Sequence, residues 1–375
     1  MKQATAYILA WLLSVCLQAQ TNDSTKALPT DIYASYVVVT PGQGFTSMLG
    51  HAAIRMYCPS AGLDYCFTVK SPEIGNEFVA MTVRSLHAGL VPEPTPQFCQ
   101  DYTDEGRGIS EYRLSLTVEE ARRLWQLLDD EVALGLHRRV DYIRRGCAQD
   151  MFSFVQAVVA PRNIDFDSIA NSLLPFSSRR QILSRYMDTS RWKGFIGHSL
   201  YGGTPDELVQ GADKLIMPLD VAAALTQAGL AAEPKLVVRQ TVADTSPAFT
   251  PFMFAVVFLL LCLIPVSVPI VSTLCSTVYF LVGVLIVWIV FVSRTPGTEW
   301  NWLIIAFNPI PLVVQKWAGR RTYQFYALVL LALLVFMAAN LGRLFFVEQL
   351  LCVAGLFVRI IYKLYNINLL KQPKV

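Results

Sequence analysis

The chain has 375 residues, of which 54% are hydrophobic and only 16% charged, with mean hydropathy +0.42. Soluble domains carry about a quarter charged residues, so this composition excludes a chain that is soluble throughout. A net charge of +3, with no long Lys/Arg run and no basic–aromatic alternation, gives no footprint for nucleic acid.

The apolar content is unevenly spread. Met1–Gln20 has the layout of a secretory signal: Lys2, an apolar stretch from Tyr7 to Leu17, then Ala19-Gln20 before a polar run. Residues 21–247 have ordinary soluble composition, and 252–365 are almost wholly apolar. Residues 366–375 are expected to form a short cytoplasmic tail.

In the soluble part, Ser35–Thr40 is rich in β-formers, and Pro41-Gly42-Gln43-Gly44 is turn chemistry. His51–Met56 alternates, with Ala52, Ile54 and Met56 on one face and His51, Ala53 and Arg55 on the other. Asp64–Val69 and Glu111–Leu116 are two further strand candidates. Thr117 with Glu120 spells a capping box, and Ala121, Leu124, Leu127, Leu128 and Val132 supply the apolar stripe of the helix it opens. A second helix is expected from Cys147, carried by Met151, Phe154, Val155, Val158 and Val159 and ended by Pro161. The remainder to about residue 240 gives short amphipathic pieces and Gly/Pro turns, without a sharp motif.

Five apolar runs follow, at about 252–271, 274–293, 301–317, 323–341 and 344–363, each near the ~20 residues needed to cross a bilayer. The third is interrupted by Asn308, Pro309 and Pro311, which suits a kinked or re-entrant segment. With the soluble part outside, Lys316, Arg320, Arg321, Lys363, Lys371 and Lys374 fall on the inner side, against Arg294 and Arg343 outside. That is a positive-inside bias, and it agrees with the signal segment.

Four cysteines, Cys58, Cys66, Cys99 and Cys147, lie in the soluble part. No CxxC or Cys/His spacing suggests a metal site, so no metal or cofactor is expected. Cys58 and Cys66 are spaced either to close a short hairpin disulfide in an oxidising compartment or to remain free. Cys147 begins a helix directly after Arg144-Arg145-Gly146, where the helix dipole and the guanidinium groups favour a thiolate nucleophile. A cysteine at a helix start is also often just a small buried residue. His51, at the start of a strand, is the natural base for such a thiol. Of the other histidines, His137 lies in a charged, exposed-looking stretch, and His87 and His198 lie near loops.

Pro41-Gly42, Gly50-His51-Ala52-Ala53-Ile54-Arg55, Asp64-Tyr65-Cys66-Phe67, the run from Arg107-Gly108-Ile109-Ser110 to Leu114-Ser115-Leu116-Thr117, and Tyr142 with Cys147 follow one another in a telling order. In this, residues 33–240 resemble the Lnb N-terminal periplasmic domain family of bacterial envelope proteins. The resemblance implies an α+β periplasmic domain with a circularly permuted papain-like fold, followed by an all-α membrane domain of about five transmembrane helices in the inner membrane. It also implies a lipoprotein N-acyltransferase. Cys147 would take an acyl chain from a phospholipid as a thioester and pass it to the N-terminal amine of a diacylated lipoprotein, with His51 as base. Inner-membrane lipids would surround the helices. Asp64 and Tyr65 are the expected positions for a third polar group. The family usually has Asn before the cysteine, and this chain has Gly146. Two other functions remain open: hydrolysis by the same pair (peptidase, amidase or thioesterase), and a catalytically silent binding or sensing domain.

Overall fold

The computed structural model describes residues 29–45, 47–71, 79, 87–135, 137–188, 190–241, 247–301, 303–308, 322–340 and 346–371. The expected signal segment 1–20, Pro309 and Pro311 of the third apolar run, Lys316, Arg320, Arg321 and Arg343, and residues 372–375 lie outside them.

Seven strands form one antiparallel sheet: β1 (Tyr33–Val39), β2 (His51–Cys58), β3 (Leu63–Lys70), β4 (His87–Pro94), β5 (Ile109–Arg113), β6 (Arg138–Arg139) and β7 (Lys235–Val238). Their order is β6-β4-β3-β2-β1-β5-β7. Alternation decides what each face buries. Tyr36, Val38, Ala52, Ile54, Met56 and Phe67 point into the main core. Val37, Val39, Ala53, Cys66 and Ile109 point the other way, under Phe98 and Tyr102 of α1 (Thr95–Asp104).

The main core is closed by α2 (Val118–Leu134), α3 (Cys147–Val159), α4 (Phe166–Leu173), α5 (Arg179–Ser184), α6 (Trp192–Leu200) and α7 (Pro218–Gln227). The capping box that opens α2 is complete: Glu120 N–H donates to Thr117 Oγ1 at 3.2 Å and Thr117 N–H to Glu120 Oε2 at 2.8 Å. Gly135, at φ 59°, ends the helix in the left-handed turn that favours glycine. α3 starts at Cys147 and stops before Pro161, as its periodicity predicts.

Of the two possibilities for Cys58 and Cys66, the free form holds: both thiols are unbridged. Register explains it: Cys58 pairs with Leu63, while Cys66 pairs with Arg55, whose side chain is on the opposite face of β2 from that of Cys58. The two sulfurs therefore point to opposite sides of the sheet. β4 has no counterpart in the sequence reading, because Gly89, Pro92 and Pro94 argue against a strand. They are tolerated because β6 pairs only with His87 and Ala88, which leaves the rest of β4 an edge.

Beyond Pro247 the described residues form the helices α8 (Pro251–Leu263), α9 (Pro269–Phe291), the single turn α10 (Leu303–Ala306), α11 (Thr322–Asn340) and α12 (Val347–Lys371). Ala255, Phe258, Cys262, Cys275, Leu333, Phe336, Val353 and Leu356 make a second core. Among the described residues, only α9 is long and apolar enough to cross a membrane by length and composition. α8 has 13 residues and ends before Pro265, giving about 20 Å of helix against ~30 Å of hydrocarbon. α12 is longer but carries Glu348, Arg359 and Lys363.

A tight joint holds the bundle to the sheet domain. Gly202 N–H donates to Gly297 O at 2.7 Å and Gly203 N–H to Trp300 O at 3.1 Å. Any Cβ on Gly202 would overlap the Glu299 carbonyl. Asn301 Nδ2 caps the end of α6 through Ser199 O at 2.8 Å, and Gln349 Nε2 donates to Ser199 Oγ at 2.8 Å. His198, expected near a loop, is buried in α6 with its ring 4.6 Å from that of Phe346.

Candidate functional site

Strand β2 begins on a constrained turn. Gly42 N–H and Gly50 N–H both donate to Ser47 O, at 2.9 and 3.0 Å. Gly50 sits at φ +79°, where a Cβ would lie 2.9 Å from Val39 O. Only glycine suits that position, and it delivers His51 to the first residue of β2. On the other side of the sheet, Gly146 caps α3 with extended backbone and Cys147 occupies its first turn.

The two elements meet at one cavity of about 680 Å³, lined by both His51 and Cys147. Its walls include Leu49, Val69, Tyr142, Ile216 and Met217, with Lys70, Glu105 and Arg107 as charged groups. The Cys147 sulfur accepts from the N–H of Ala52, the residue next to His51, and from that of Ala148 in its own helix.

His51 Nε2 shares a 2.6 Å hydrogen bond with Thr68 Oγ1, which is fully buried on β3. In the tautomer that donates Nε2–H to Thr68, Nδ1 is the proton acceptor; in the other, Thr68 donates and Nδ1 carries the proton. The imidazole also tilts against Tyr102, centroids 6.1 Å apart. Burial, with the positive charges of Arg107 and Lys70, lowers His51 to about 3, so the ring is neutral at pH 7.

The thiol does not rest as the thiolate the sequence suggests. Burial pushes Cys147 up to about 11; the charge of Asp150 adds to this, while the two backbone N–H groups and Arg107 oppose it. The arginines that precede the cysteine are engaged elsewhere. Arg145 pairs with buried Asp150 at 3.0 Å, as does Arg138 at 2.7 Å, and Arg144 pairs with Glu207 at 2.6 Å. The resting site holds a neutral thiol and a neutral imidazole.

His51 and Cys147 are thus brought together, whereas Asp64 and Tyr65 do not line the cavity. Asp64 takes a two-point bond from Arg55 (2.8 and 2.7 Å) and one from Thr95 (2.6 Å). Burial works against its charge, but these bonds hold the carboxyl below its ordinary range. Tyr65 points to the opposite face of β3 and packs on the main core. Thr68 shares a face with Asp64, two strand periods further on, so alternation from Asp64 through Cys66 would have reached it. Arg107 was also missed as a site residue. It donates to Thr40 O at 2.7 Å and to Glu105 at 3.0 Å, and lies 4.7 Å from the Tyr102 ring centroid.

Fold and site define a class: an antiparallel α+β domain in which a helix-start cysteine and a strand-start histidine share one cavity, joined to an apolar helical bundle. Residues 20–185 match the Lnb N-terminal periplasmic domain family, which implies a membrane-associated protein with a periplasmic domain. No curated protein and no solved structure matches the chain.

Proposed function

We propose that this protein is a lipoprotein N-acyltransferase in which Cys147 carries the acyl chain and His51 moves the protons. The observation that supports it most is the shared cavity, where a thiol and a neutral imidazole meet beside apolar walls.

In the first half-reaction the Cys147 sulfur attacks the ester carbonyl of a phospholipid and passes its proton to His51. The C–O bond breaks, the lysolipid alkoxide takes that proton, and a thioester remains. In the second, the N-terminal amine of a diacylated lipoprotein attacks the thioester. The C–N bond forms, the C–S bond breaks, and His51 returns the amine proton to sulfur. Gly146 offers no side chain to the oxyanion, so the backbone N–H groups at the start of α3 take that role. Thr68 holds the imidazole in the required tautomer.

The circularly permuted papain-like assignment fits a cysteine opening a helix that packs on the strand bearing the histidine. The bundle is read as about five membrane segments in the inner membrane, with the sheet domain on the periplasmic side. Exposed Phe252, Leu260, Ile270, Leu281, Phe291 and Leu331 suit contact with lipid. Hydrolysis is the rival chemistry for the same pair.

The test is mass spectrometry of a reporter lipoprotein in cells whose only candidate acyltransferase is this chain or its Cys147→Ala variant. A third acyl chain present only with Cys147 is the expected result. Diacylated lipoprotein in both strains rejects the transferase assignment.

A further inference from the structure

Tyr102 lines the cavity that holds Cys147 and His51, and the steps above give it no part. It sits near the end of α1, and three contacts fix its ring. Phe98, one turn back, meets it edge-on with centroids 4.8 Å apart. The Arg107 guanidinium lies 4.7 Å from its centroid, and the His51 imidazole tilts against it at 6.1 Å. Its carbonyl is engaged too, accepting from Arg107 N–H at 2.9 Å. The ring is a rigid shelf for the histidine.

Packing accounts for the ring but not for the hydroxyl. Tyr102 is 7% exposed, and among the described residues its phenol oxygen has no hydrogen-bond partner. The phenol oxygen of Tyr36 is unpartnered as well, but it is sealed in the core; that of Tyr102 is not sealed. A phenol in so closed a wall calls for an acceptor, and the fold supplies none. Burial raises the Tyr102 pKa well above its ordinary value, with Arg107 opposing and the charge of Cys147 adding to the rise. The group therefore keeps its proton at pH 7 and can only donate. The chemistry at Cys147 has room for such a donor. Attack on an acyl carbonyl places negative charge on the carbonyl oxygen, and Gly146 brings no side chain toward it. The N–H groups of Ala52 and Ala148 are already directed at the sulfur.

We propose that the Tyr102 hydroxyl is a further catalytic group, donating a hydrogen bond to the acyl carbonyl oxygen as it becomes an oxyanion on Cys147. The S–C bond forms, the carbonyl π pair moves onto oxygen, and Tyr102 holds that charge without giving up its proton. On collapse the pair returns, the ester C–O bond breaks, and His51 protonates the leaving alkoxide. The same hydrogen bond serves when an acceptor attacks the thioester, so Tyr102 acts in both half-reactions. This inference rests on the acyl-enzyme chemistry proposed for Cys147 and is indifferent to whether the acceptor is an amine or water. Phe98 and Arg107 hold the ring in place beforehand, so the donor needs no rearrangement as the charge develops.

The experiment compares two reactions of Cys147 in the detergent-purified full chain, each corrected for the Cys147→Ala background. Acylation by p-nitrophenyl butyrate passes through an oxyanion. Alkylation by iodoacetamide displaces iodide at a saturated carbon and does not. Tyr102→Phe should slow acylation about a hundredfold while alkylation stays within about twofold of the parent. Its melting temperature should match the parent's, because the lost oxygen has no partner in the fold. Equal acylation rates, a parallel fall in both reactions, or a lower melting temperature overturn the proposal. A parent acylated by the p-nitrophenyl ester but not by phospholipid rejects the transferase reading, and the selective loss in Tyr102→Phe then still supports Tyr102. A parent acylated by neither rejects both.

Discussion

The sheet domain and the helical bundle treat charge in opposite ways. In the sheet domain most buried charge is paired, with Lys214, whose Nζ donates to Leu174 O at 2.9 Å, an exception. Arg55 joins Asp64 at 2.7 Å and Glu111 at 2.9 Å across three strands, Arg180 holds Asp206 at 2.7 Å, and Asp150 is held by Arg138 and Arg145. In the bundle, nine basic residues face two acidic ones in sequence, and among the described residues the buried Arg359 is held by Leu261 O and Cys275 rather than by a carboxylate. A domain that supplies its own counter-ions is built to stand in water. A bundle that does not supply them relies on its surroundings.

The joint is where the two materials meet, and breaking it should have the largest effect on stability. Gly202→Ala forces a Cβ into the Glu299 carbonyl, so the sheet domain and bundle must separate locally. Destabilisation of about 3 kcal/mol is expected, seen as a lower melting temperature and faster proteolysis near residue 297. A variant with unchanged melting would mean that the two halves are not held there.

A second change acts inside the sheet domain. Thr68→Val keeps shape and removes the hydrogen bond to His51. Acyl transfer should fall about tenfold or more, mainly in kcat, with Thr68→Ser restoring most of it. A loss in KM alone, or no rescue by Ser, would remove Thr68 from the positioning of the imidazole.

The charge state of the site is a third point of leverage. Alkylation of Cys147 should rise with pH and inflect at about 11, above the range of a free thiol, because burial outweighs Arg107 and the two backbone N–H groups. Arg107→Gln removes a charge that favours the thiolate, so the inflection should move higher still. An inflection below about 8.5, the ordinary thiol value, would contradict the neutral resting pair.

The smallest effect is expected at Gly146. Its φ of −88° is open to any residue, and a Cβ there meets nothing within 4 Å. Gly146→Asn should leave stability within a few tenths of a kcal/mol, since Asn and Gly are both accepted helix caps. Its effect on transfer rate, measured against the parent, shows whether an amide before the cysteine aids the oxyanion.

These residues also show what a sequence can carry. The alternation of His51–Met56 and the capping box at Thr117 were legible because each is written within a few neighbours. So was the start of α3 at Cys147. The partner of His51 was harder to find. Thr68 is one small hydroxyl among several strand residues, and Asp64, with its charge, drew attention that Arg55 and Thr95 claim in the fold. The Arg144-Arg145 pair misled for a related reason: sequence adjacency to Cys147 says nothing of where the guanidinium groups point, and Asp150 captures one of them. In the bundle, hydropathy marked all five apolar runs, but Pro265 ends α8 early.

The central claim is that Cys147 carries an acyl group. The most direct measurement is the intact mass of the purified full chain incubated with phospholipid and no lipoprotein acceptor. The account predicts one acyl adduct, located on Cys147, released by hydroxylamine and absent from Cys147→Ala. An unmodified protein under conditions where a supplied lipoprotein does become triacylated, or an adduct that persists in Cys147→Ala, would contradict it.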